Sequence, residues 1–85
     1  MITVEKSKIY LQADEIDHLT IRYTDHHEPL NKEKAVRFIK MYAAWYDEVK
    51  AALEGTDLDS LLMKKDEELL SLLVTVRNTL LNMVF

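Results

Sequence analysis

Apolar residues recur through the middle of the chain at Ala35, Phe38, Tyr42, Trp45, Val49 and Ala52. The intervals alternate between three and four, which is the spacing of a single helix face. Ile39, Tyr46 and Leu53 widen that face on one side, and charged residues hold the opposite side. Pro29 and a cap-forming Asn31 precede the pattern, and Gly55, free to take positive φ, follows it. These signals predict a helix over 31–54, with Lys32 to Glu54 as its body.

A second apolar pattern runs from Leu69 to the last residue and reads LLSLLVTVRNTLLNMVF. Thr56 or Asp57 can cap a helix leading into it, and Asp59 puts negative charge in the first turn, where the helix dipole favours it. This predicts a helix over 57–84. The link at Gly55 would be about two residues long, so the two helices are expected to form an antiparallel hairpin. On a helical wheel Asp57, Ser60, Lys64, Glu68, Ser71, Thr75, Asn78 and Asn82 fall in one narrow polar strip. Almost everything else in the C-terminal half is Leu, Val, Met or Phe. A surface helix needs only one apolar stripe. Such a helix is therefore either central to the fold or keeps one flank for a partner.

The first 28 residues carry two patterns. Ile9, Ala13, Ile16, Thr20 and Tyr23, with Leu19, make a helical stripe, whereas Leu19 to Thr24 alternates like a strand and is rich in β-branched residues. Acidic residues in the Ala13 to Asp17 segment suit a first turn, and no hairpin turn signal is present. The reading is an N-terminal arm over 1–12, with Ile2 to Val4 extended, and a helix over 13–27. The fold class is then all-α, a three-helix bundle built on an antiparallel helical hairpin. The alternative is α+β, with a short N-terminal β-hairpin on two long helices.

Arg77 sits on the apolar arc of the last helix, not on its polar strip. A buried, unpaired Arg is costly, so it must snorkel to water or meet an acid. Asp66 lies on the same line, but roughly 16 Å away along the axis at the standard helical rise. A two-fold axis near Ser71 and Leu72 would bring Asp66 of one copy to Arg77 of another, the self-complementarity of an isologous dimer. An acid of the first helix is the other available partner. Asp66, Leu70, Leu73, Arg77, Leu81, Val84 and Phe85 are the expected interface for an oligomer or a protein partner.

Net charge is −4 from 15 acidic and 11 basic residues, and this argues against nonspecific nucleic-acid or anionic-membrane binding. The last apolar run is short for a membrane span and is broken by Arg77, Asn78 and Asn82. The N-terminal residues have no signal-peptide core, so a cytoplasmic protein is expected. There is no cysteine, hence no disulfide or thiolate metal site. The helix over 31–54 carries Lys32, Lys34, Arg37 and Lys40 in its first half and acids in its second, against its own dipole. Asp14, Glu15 and Asp17 could face the basic half. Otherwise Lys34, Arg37, Lys40, Tyr42 and Trp45 would form a site for a phosphate or another small anionic ligand.

Catalytic chemistry finds little support. Glu15 and His18 share a helix face, but a helical di-iron site needs a second Glu-x-x-His, and all three histidines lie in the first third. A single glycine excludes a Gly-rich phosphate loop. Ser7, Ser60 and Ser71 lack an activating context. The sequence therefore points to a noncatalytic protein without metal or cofactor. It would act by protein–protein contact as a regulator, inhibitor or adaptor, and would self-associate through the last helix as a homodimer. Small-ligand binding is the alternative.

Overall fold

The computed structural model describes residues 2–84, and side chains from residue 6 to residue 84. The chain is an all-α bundle: α1 (Ile2–Thr24), α2 (Lys32–Trp45), α3 (Asp47–Ala52), a 3-10 helix (Leu58–Met63) and α4 (Asp66–Asn82). No strand occurs among the described residues, so the β-hairpin alternative falls. Phe85 lies outside the described residues.

The expected arm over 1–12 is instead the first half of α1, which runs unbroken from Ile2 and ends at Thr24 rather than at residue 27. The stripe Ile9, Ala13, Ile16 and Leu19 is buried, and Gln12 is buried with it. The strand-like segment fits a helix because its hydroxyls turn back on the backbone. Thr20 Oγ1 donates to the Ile16 carbonyl at 3.0 Å and Thr24 Oγ1 to the Thr20 carbonyl at 2.9 Å. The helix closes in a wide turn. The Glu28 N–H reaches the Arg22 carbonyl at 3.0 Å, and His27 takes the left-handed conformation at φ 55° that glycine usually fills.

Asn31 caps α2 by accepting from the Lys34 N–H at 3.1 Å. The helix expected over 31–54 is broken at Tyr46, which is extended (φ −129°, ψ 121°) and separates α2 from α3. Beyond the break Val49 and Leu53 are both buried in the core. Gly55 takes φ +88°, as the pattern anticipated.

The helix expected over 57–84 is also two pieces. Asp57 caps the 3-10 helix through the Asp59 N–H (3.0 Å) and the Ser60 hydroxyl (2.8 Å). Lys64 and Lys65 are extended, and α4 begins at Asp66. In the 3-10 segment Leu61 is buried, while Leu62 and Met63 stand out in solvent. Lys32 Nζ donates to the Lys64 carbonyl at 2.9 Å and lies 3.5 Å from Asp66 Oδ1. α4 therefore starts beside the start of α2, and α3 with the 3-10 helix carries the chain back between them. This replaces the expected two-residue reversal between two long helices. α4 is the centre of the fold: Leu69, Leu73, Val76 and Leu80, spaced 4-3-4, are fully enclosed. Each contributes about 1.5–3 kcal/mol by leaving water.

Candidate functional site

The seam expected on the last helix is divided between core and surface. Leu73 is fully buried among the bundle's own side chains and cannot meet a partner. Leu70, Leu81 and Val84 are half-buried, and Val84 packs against the core. Arg77 finds its acid within the chain: Nε donates to Asp17 Oδ1 of α1 at 2.9 Å, and Nη1 donates to Asn78 Oδ1 at 3.1 Å. Asp66 is paired with Lys32. Both charges that a two-fold axis would have joined are thus engaged inside one copy. The polar strip holds, with Glu68, Ser71, Thr75, Asn78 and Asn82 all exposed.

The other surface of interest is the groove between α1 and α2. Phe38 and Tyr42 stack at 5.6 Å between ring centroids, and Trp45 tilts against Tyr42 at 5.9 Å. Phe38 and Tyr42 are core residues, whereas Trp45 is 52% exposed. The kink at Tyr46 lies directly after it: the Tyr46 hydroxyl turns to α1 and donates to buried Gln12 Oε1 at 3.1 Å. Lys8 Nζ sits 5.2 Å over the Trp45 ring, and Lys34 Nζ sits 5.8 Å from the Phe38 ring. Lys8, Ile9, Trp45 and Tyr46 line a cleft of about 510 Å³. Leu11, one turn on from Lys8 and therefore on the same side of α1, is 64% exposed.

Tyr42 differs from its expected role at a half-exposed edge. Its hydroxyl is enclosed and has no hydrogen-bond partner among the described residues. Burial pushes the phenol's pKa well up, and the nearby Glu15 carboxylate raises it further. The expected ligand set is only partly brought together. Lys34 lines a cleft of about 430 Å³ at the far end of the groove, together with Glu15, His18, Leu19, Arg22 and His26. Arg37 and Lys40 are exposed, are not among its walls and make no ion pair among the described residues. Among the described residues no ion pair joins the acids of α1 to the base-rich half of α2: Asp17 serves Arg77 instead, and Glu15 only shares a cleft with Lys34. Arg22, His18 and His26 were missed as neighbours of Lys34. The only hint was helical spacing, which places His18 and Arg22 one turn apart.

Among the described residues no three His, Cys, Asp or Glu side chains converge where a metal could be held, and no helix is long and apolar enough to cross a membrane. Comparison of the chain with protein families, curated proteins and solved structures finds no match.

Proposed function

We propose that this chain is a noncatalytic regulator, inhibitor or adaptor that works by contact with another protein, and that the contact surface lies between α1 and α2 around Trp45. The observation that carries the reading is the half-exposed Trp45 ring under the Lys8 ammonium, with the exposed Leu11 one turn along α1 from Lys8. Tryptophan is the residue type most enriched among energetic hot spots, and exposed aromatic and aliphatic groups rimmed by charge are typical of docking surfaces. The seam on α4 supports the reading less, because its charges are already paired within the chain.

The test is a photo-crosslinking amino acid placed at position 11 or 45, and in parallel at Ser71 or Thr75 on the polar strip of α4. The expected result is a defined adduct from 11 and 45 and none from 71 and 75. Trp45→Ala should weaken binding of the captured partner about thirtyfold, the effect of losing a hot spot of about 2 kcal/mol. Adducts from the polar strip alone would overturn the reading. Light scattering of the purified chain tells whether the partner is a second copy.

A further inference from the structure

We propose that the basic end of the α1–α2 groove is a binding site for a phosphate monoester dianion. The cleft of about 430 Å³ gathers His18 and Arg22 from α1, His26 from the loop after it and Lys34 from α2, with the Glu15 carboxylate in its wall and Glu28 beside Arg22. Arg22 and Lys34 bring two positive charges together on a molecule whose net charge is −4, and the two imidazoles add ring N–H donors beside them. Chain folding, not overall composition, concentrates them. Like charges converging at a surface repel each other, and a bound dianion relieves that repulsion.

The cations are available. Lys34 makes no ion pair among the described residues; its ammonium lies instead 5.8 Å from the Phe38 ring. Arg22 touches Glu28 at 3.6 Å, with both side chains more than half exposed, 73% and 53%. That distance is long for a charge-assisted hydrogen bond, so the contact is weak and readily exchanged for a phosphate oxygen. Guanidinium and ammonium groups together match a tetrahedral dianion, the first by a planar fork and the second as a point charge. The site does not depend on the N-terminus of α2, whose Lys34 N–H is already taken by Asn31. It does not rest on the Trp45 surface either, which lies at the opposite end of the groove.

The experiment is an NMR titration of the full chain at constant ionic strength with three probes: inorganic phosphate, AMP and a phosphoserine tripeptide. Constant ionic strength removes general screening as a cause of the shifts. Saturable shifts are expected for the amides of residues 18–28 and 31–35. Arg22→Ala and Lys34→Ala should each raise Kd about tenfold, the scale of one lost charge-assisted contact. Glu15→Gln should lower Kd, because it removes a negative charge from the wall of the cleft. Arg37→Ala, an equal charge change outside the cleft, should leave Kd unchanged, as should Trp45→Ala. The tightest of the three probes identifies the carrier, and equal affinities assign the site to the phosphate group alone. Shifts that fail to saturate, or an Arg37→Ala effect as large as that of Lys34→Ala, would overturn the proposal.

Discussion

The ring of Tyr42 stacks on Phe38 inside the bundle, while its hydroxyl reaches no partner among the described residues. A buried donor left unmade costs roughly 1–3 kcal/mol. Tyr42→Phe should therefore stabilise the protein by about 1 kcal/mol, read as a rise of several degrees in melting temperature for a chain of this size. A fall would mean that a water or Glu15 satisfies the hydroxyl. At Arg77 the matching partner is Asp17, at 2.9 Å. Both side chains are more than a third exposed, so the pair is worth no more than about 1 kcal/mol. The double swap Arg77→Asp with Asp17→Arg should recover most of what either single change loses in urea unfolding, and Asp66→Lys should rescue nothing. Asp57 has a depressed pKa, first because the Ser60 hydroxyl and then because the Asp59 N–H bond its charged form. Its stabilisation is complete above the ordinary carboxylate range and disappears as pH falls through the lowered folded value. Asp57→Asn should remove that part of the acid-unfolding profile and leave the rest unchanged.

At the scale of elements, helix ends are where local chemistry and fold disagree most. His27 ends α1 in a left-handed conformation that costs a side chain about 1 kcal/mol, so His27→Gly should stabilise by a similar amount in thermal melts. Gly55 presents the converse case. A Cβ there would meet nothing within 4 Å, yet φ is +88°, so Gly55→Ala should destabilise by about 1 kcal/mol through backbone strain alone. The break between α2 and α3 has no Gly or Pro to announce it. The apolar spacing from Ala35 to Ala52 suits one continuous helix, and only the position of α1 makes Tyr46 leave it to meet Gln12. Likewise the threonines of α1 made a strand and a helix nearly equal as local choices; back-bonding to the carbonyls of the preceding turn lets the helix keep them.

Across the whole molecule, α4 is enclosed by α1, α2 and the return segment, and its apolar excess is mostly core. Leu73→Ala should therefore cost about 2–5 kcal/mol in chemical denaturation, as a cavity in a packed interior does, rather than act on association. The amino-acid sequence by itself determined the all-α class, the caps at Asn31 and Asp57, the turn at Gly55, the buried stripe of α1 and the solvent strip of α4. Those features depend on residues within one turn of each other, where spacing and capping chemistry decide. Three-dimensional packing alone decided that Leu73 is interior while Leu70 and Leu81 are half-open, that Arg77 meets Asp17, that Trp45 turns outward at the kink, and that Arg22, His18, His26 and Lys34 share one cleft. Each of those facts joins residues from different helices or depends on how helices face one another. No periodicity within a single helix can encode such a relation.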